Sequence, residues 1–139
     1  MINTDNYIRW ERVDSVTQTT AGILAKLHRE QLRIDVVRAD VLRIKISRGG
    51  VFDESPTFAV CVDPLASPAD FQVEQDEERV QLITTACTAS LWLDPFRIDI
   101  HRSDGSPVIE TAQDAEGRYW AYATLNDSFT VRRRCRQED

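Results

Sequence analysis

Two histidines, three cysteines, three tryptophans and 23 acidic residues are the groups from which this 139-residue chain could build a reactive site. Acid/base cleavage of a glycosidic bond needs two carboxylates, one on each side of the scissile bond. The acidic residues do not sort into such a pair by spacing. Asp76, Glu77 and Glu78 gather in a turn, where a charge run serves solvation. Asp94 and Asp104 stand before Pro95 and Gly105, where Asp is wanted for turn geometry. His28 and His101 fall on the polar parity of their strands, and no further ligands are spaced around them for a metal. Cys61, Cys87 and Cys135 lie far apart with no CxxC spacing, which reads as free and mostly buried thiols. A Gly-rich phosphate loop, a GxSxG elbow and an HExxH pair are all missing, so nucleotide, acyl-transfer and zinc-protease chemistry find no support. No cofactor is implied.

Aromatic residues offer a second kind of chemistry, since an exposed ring on a sheet can stack on a sugar. Trp92 is the best placed of the tryptophans, because its parity opposes that of Leu91 and Leu93. The Tyr119, Trp120, Tyr122 segment is the other candidate contact for a sugar or a neighbouring domain. Packing against another layer is the more ordinary use of such a ring. With the net charge opposed but screened, these rings also predict an apolar patch and some self-association.

The elements that would position these groups are strands. In Ala89 to Glu110, Leu91 and Leu93 alternate with polar residues up to Asp94-Pro95. Phe96, Ile98 and Ile100 then alternate with Arg97, Asp99 and His101, and Asp104-Gly105 turns the chain into Val108-Ile109. Ile98 should point inward and Asp99 outward. Upstream, Tyr7 to Val13 reads as a strand, Thr17 to Thr20 as a polar turn, and Ile23 to His28 pairs with Leu32 to Val37 through Arg29-Glu30-Gln31. In that pair Arg33 and Asp35 face outward. Val41 to Ser47 puts Leu42, Ile44 and Ile46 inward until Gly49-Gly50 ends it. Pro56, Pro64 and Pro68 leave only Phe58 to Val62 as a short edge strand. Phe71 to Glu74 and Arg79 to Thr84 flank an acidic turn, and Tyr119 to Tyr122 returns through Asn126-Asp127 into Phe129 to Cys135. Thr20 to Leu32 holds good helix formers but lacks a sustained helical period. The fold class is therefore all-β, an antiparallel sandwich of two sheets packed face to face.

Length and charge bound the partners. A 15.9 kDa chain is long enough for one domain, 1–139, with its own core. A net charge of −6 argues against nucleic acid and anionic membrane, whose partners present clustered Lys and Arg. The one basic run, Arg132-Arg133-Arg134, alternates through a strand and meets Glu138-Asp139. No apolar stretch could span a bilayer, and the N-terminus lacks a secretion pattern, so a cytoplasmic protein is expected.

At DVLRIKISRGG (Asp40 to Gly50), DPFRIDIHRSDGSPV (Asp94 to Val108) and FTVRRRCRQED (Phe129 to Asp139), the chain resembles the N-terminal domain of glycoside hydrolase family 31, the α-glucosidase and α-xylosidase family. The resemblance implies a β-sandwich of the galactose-mutarotase-like type, in agreement with the strand reading. It also implies a larger parent chain whose (β/α)8 barrel holds both catalytic carboxylates. The family's nucleophile motif, of Trp-Xaa-Asp-Met type, has no counterpart here, because Met1 is the only methionine. No catalytic residue is carried over. The implied role is a non-catalytic domain, inactive by itself, that supports the barrel of a retaining α-glycosidase and shapes the entrance for an α-linked oligosaccharide. A free-standing carbohydrate-binding module using Trp92 or the Tyr119, Trp120, Tyr122 cluster is the first alternative. A small aldose mutarotase is the second.

Overall fold

The computed structural model describes residues 8–52, 69–113, 119–125 and 128–135, and for residues 8, 9, 121–125 and 128–135 the backbone alone. Strands β1 (Ile8–Arg9), β2 (Ser15–Gln18), β3 (Gly22–Leu27), β4 (Glu30–Arg38) and β5 (Val41–Ser47) come first. A five-strand run follows: β6 (Gln72–Gln75), β7 (Arg79–Ile83), β8 (Cys87–Leu93), β9 (Phe96–Arg102) and β10 (Pro107–Ile109). The chain continues through β11 (Thr111–Ala112), β12 (Trp120–Leu125) and β13 (Ser128–Cys135). The described residues contain no helix, and Thr20 to Leu32 is strand and turn.

Three antiparallel ladders result, in the orders β2-β3-β4-β5, β10-β9-β8-β7-β6 and β1-β12-β13-β11. The first two are meanders, as the alternation predicted. Their apolar parities meet in one core: Ile23, Ala25, Leu27, Leu32, Ile34 and Val36 from one sheet, Val80, Leu82, Ala89, Leu91, Phe96, Ile98 and Ile100 from the other. Each fully buried Leu or Ile contributes about 1.5–3 kcal/mol relative to exposure, so the two facing rows dominate the stability of the sandwich.

Several local expectations are corrected. Thr17 and Gln18 belong to edge strand β2 rather than to a turn; with most of its side chains exposed, that strand carries no apolar alternation to betray it. The turn lies one step later, closed by Thr19 N–H to Gly22 O at 2.8 Å and by Gly22 N–H to the Thr19 hydroxyl at 3.0 Å. Gly22 is required there, because a Cβ would collide with the carbonyl oxygen of Ile34 on β4. The β3–β4 loop is His28-Arg29, with Leu27 opposite Glu30. His28 takes φ 48°, the left-handed geometry of tight hairpins, and donates its N–H to Asp14 at 2.9 Å. The first strand is cut to Ile8–Arg9, and the Phe58 to Val62 strand lies outside the described residues. The last strand is not simply an edge: β13 pairs with β12 along its length and with β11 at Arg134 and Cys135.

Asp35 is the largest departure. Its parity is outward, yet it is 1% exposed, bound by Arg33 Nε at 3.1 Å and by Arg43 Nη2 at 3.0 Å. A buried carboxylate persists only when such charge-assisted bonds replace its hydration. Asp99 likewise faces outward but is not idle. It accepts the Thr111 N–H at 2.8 Å, and Arg97 lies 3.5 Å away.

Ile98→Asp is expected to destabilise the fold by about 4 kcal/mol or more, since an unpaired charge enters the core. Asp99→Ala is expected to cost about 1–2 kcal/mol, the penalty of orphaning the buried Thr111 N–H. Urea denaturation midpoints check the order; equal losses would mean that the β9 register is wrong.

Candidate functional site

The outer face of β7, β8 and β9 collects most of the chemistry-bearing side chains. Antiparallel pairing sets them in rows across the sheet: Arg79 opposite Trp92 opposite Arg97, then Gln81, Ser90 and Asp99, then Thr88 and His101. Neighbours within a row stand about 4.8 Å apart, and successive rows about 6.7 Å. A cleft of about 390 Å³ opens over these rows.

Trp92 does not offer a bare ring. The Arg79 guanidinium lies 5.1 Å from its centroid and that of Arg97 4.6 Å, one from each flanking strand. Both sit in cation–π range. Arg97 also lies 5.3 Å from the Tyr119 ring and donates to its hydroxyl at 3.4 Å, so Trp92, Arg97 and Tyr119 form one stack. The Trp92 indole N–H is shielded from solvent and has no acceptor among the described residues. The sequence-based candidates thus separate. Trp92 and Tyr119 are half-buried and adjacent at the surface. Trp120 is 5% exposed and packs on Phe96 and Trp10 in the core. The Tyr122 side chain lies outside the described residues. The predicted aromatic surface patch does not form around Trp92: the large exposed hydrophobics among the described residues are Val41 on β5, Val51 in the segment after it and Val108 on β10.

His101 lies in the third row with Nε2 3.2 Å from Glu110 Oε1, whereas His28 sits in the β3–β4 turn on the other sheet. No group of three metal-ligating side chains occurs among the described residues. Cys87 is a buried free thiol whose Sγ lies 3.4 Å from Ala39 O. A second cleft, about 510 Å³, opens on the outer face of the β2–β5 sheet beside Gln31, Arg33 and Phe52, with the Arg33 guanidinium 4.8 Å from the Phe52 centroid. Sequence reasoning missed the roles of Arg79, Arg97 and Ser90; two arginines at the cross-strand positions flanking an outward Trp were the signal available.

Comparison with known proteins places this geometry in a family. The Glycosyl hydrolase 31 N-terminal galactose mutarotase-like domain matches residues 31–125, and the chain belongs to that family. Curated protein sequences give no match. Among solved structures, a Flavobacterium johnsoniae GH31 dextranase complexed with isomaltotriose superposes with a TM-score of 0.65 at 13% identity, over 86% of this chain and 16% of the dextranase. The cycloalternan-forming enzyme of Listeria monocytogenes, in complex with a pentasaccharide substrate, gives 0.58 at 18% identity, over 82% of this chain and 10% of that enzyme. The chain therefore spans a small part of the enzymes it resembles, and at these identities the likeness establishes the fold: an all-β sandwich of the mutarotase-like type.

Arg97→Ala is expected to lower stability by about 1–2 kcal/mol and to change Trp92 emission, because one substitution removes a cation–π contact on each of two rings. Arg97→Lys should restore little of either, since a compact ammonium does not stack as a planar guanidinium does. Wild-type melting and emission in Arg97→Ala would remove the stack as a stabilising feature.

The acidic turn supplies a pH test. The backbone N–H groups of Glu78 and Arg79, at 2.8 and 2.9 Å, hold Asp76 below its ordinary value of 3.8. A carboxylate depressed in the folded state contributes stability that is full above about 3.8 and is lost as pH falls through the lower folded value. Asp76→Asn, which keeps an acceptor but cannot titrate, is expected to flatten the acid limb of the urea midpoint against pH. An unchanged limb would deny the turn that role.

Proposed function

We propose that this domain is the non-catalytic N-terminal β-sandwich of an α-glycosidase of glycoside hydrolase family 31, supporting a catalytic barrel and shaping the substrate entrance. The observation that carries the reading is the family match over residues 31–125, on a fold shared with two enzymes of which this region is 16% and 10%. Each of the two clefts is lined by a single carboxylate, Asp35 in one and Asp99 in the other. Asp99 is held by Thr111 and Arg97, and Glu110 lies against His101. The reaction of the whole enzyme is accordingly assigned to two carboxylates of the barrel, one as nucleophile and one as acid/base.

The substrate class proposed is an α-linked gluco-oligosaccharide, by analogy with the dextranase and the cycloalternan-forming enzyme. Trp92 and Tyr119 are the aromatic residues proposed to contact sugar or barrel; Trp120 is occupied in the core. Chain 1–139 is taken as one domain. A cytoplasmic setting is proposed from the odd cysteine count and the free Cys87 thiol, and no helix of the described structure is long and apolar enough to cross a membrane.

The purified chain is expected to release no p-nitrophenol from aryl α-glucoside or α-xyloside and to leave the rate of glucose mutarotation unchanged. Turnover that co-purifies with the chain would overturn the non-catalytic assignment, and accelerated mutarotation would favour the mutarotase alternative.

A further inference from the structure

We infer that the cleft over β7, β8 and β9 is a glycan-binding subsite, one that takes a short stretch of neutral, hydroxyl-rich oligosaccharide. Its floor is Ser90, which is 5% exposed and lines the cleft. The Ser90 hydroxyl accepts only a long 3.5 Å bond from the Gln81 amide, and its own O–H has no acceptor among the described residues. A hydroxyl with that spare capacity on the floor of an open cleft can both donate to and accept from a hydroxyl-bearing ligand that displaces water. Around it stand an acceptor, Asp99, donors on Gln81 and Arg79, and His101, which can serve either way according to tautomer. Asp99 is already fixed by Thr111 N–H and Arg97, so its orientation needs no ordering on binding. A polyol presents both donors and acceptors at short intervals, and the rows of this sheet present their complements.

The alternatives fit less well. A protein partner would want an apolar anchor, but the one aromatic ring here is flanked by guanidinium groups from both sides. A polyanion would find Arg79 and Arg102 on the cleft walls but would also meet Asp99 in the cleft and Asp76 beside Arg79, on a chain of net charge −6. The volume of about 390 Å³ is within the usual range for small-ligand sites. The polyol chemistry stands on the cleft alone; the choice of an α-linked glucan rests on the function proposed above.

Calorimetric titration of the whole chain with isomaltotriose and maltotriose, with tryptophan emission as a second readout, tests this. Binding is expected for at least one of them. The double variant Gln81→Ala, Ser90→Ala, which removes both members of the weak pair and so orphans neither, is expected to weaken it about tenfold or more at an unchanged melting temperature. Arg38→Ala, exposed on the opposite sheet, should bind as wild type. No binding up to about 10 mM of either sugar, or binding indifferent to the double variant, would overturn the subsite. A double variant that melts early is replaced by Gln81→Glu, which keeps the size of the side chain but removes its amide donor from the Ser90 row and should weaken binding through the same cleft; unaltered affinity there would also overturn it. Inorganic sulfate competing with the sugar would show an anion site and overturn the polyol assignment. Loss of the subsite would leave the non-catalytic assignment standing, since that is read from the activity assays.

Discussion

Phe96 is the point at which the three ladders become one structure. It is fully buried, with the Trp10 ring edge-on at 5.9 Å and the Trp120 ring at 5.5 Å. Each aromatic comes from a different place: Phe96 opens β9, Trp120 opens β12, and Trp10 follows β1. The backbone around them is stitched to match. Trp10 N–H bonds to Trp120 O, Phe96 N–H to Glu11 O, and Val13 N–H to Leu93 O at 2.8 Å. Glu30, 4% exposed, receives the Trp10 indole N–H at 3.3 Å and so ties the β2–β5 sheet into the same knot. Such aromatic groups bring large buried area in fixed geometry, which makes this junction costly to rearrange. The outer face of β7–β9 inherits its rigidity from it, because the same β8–β9 hairpin carries Phe96 inward and Trp92 and Arg97 outward.

The alternation of apolar and polar residues made most of the sandwich legible before any coordinates. Leu32, Ile34 and Val36, Leu91, and Phe96, Ile98 and Ile100 all point where their parity placed them, since period 2 leaves a strand with one buried face only one choice. What the sequence hid shares a cause. Edge strand β2, the close approach of Gly22 to Ile34, and the burial of Asp35 on its outer face depend on which strand lies alongside, and that is a long-range fact. Arg43 reaches Asp35 because β5 sets the two residues opposite each other, not because of any spacing between them. The arginines beside Trp92 were hidden for the same reason: positions 79, 92 and 97 become a row only when β7, β8 and β9 pair in this register.

Both sheets solve the same problem on their outer faces. A residue type that would be a liability there is covered by arginine from neighbouring strands: the carboxylate of Asp35 by Arg33 and Arg43, the ring of Trp92 by Arg79 and Arg97. The planar, weakly hydrated guanidinium suits both tasks, since it forks onto a carboxylate and stacks on an aromatic face while its stem covers apolar area. An outward Trp on this sheet is therefore no exposed patch, and the reasoning from parity alone to a sticky surface omitted the arginines that parity also placed outward.

Likeness of fold at 13% and 18% identity follows from how little the core demands. Alternation, total volume and a few turn residues are enough to recover two packed sheets, and many hydrophobic combinations meet that demand. The outer faces carry no such constraint, so they are where members of one fold can differ in what they touch. In this chain the β7–β9 face departs from a merely solvated surface in three respects at once. It has a buried hydroxyl with spare bonding capacity at Ser90, a carboxylate oriented by Thr111, and an aromatic stack that fixes one wall. A solvated face needs none of these, because water would satisfy mobile polar groups at lower entropic cost. Their co-occurrence over three neighbouring strands is what distinguishes a surface arranged to bind from one arranged only to dissolve.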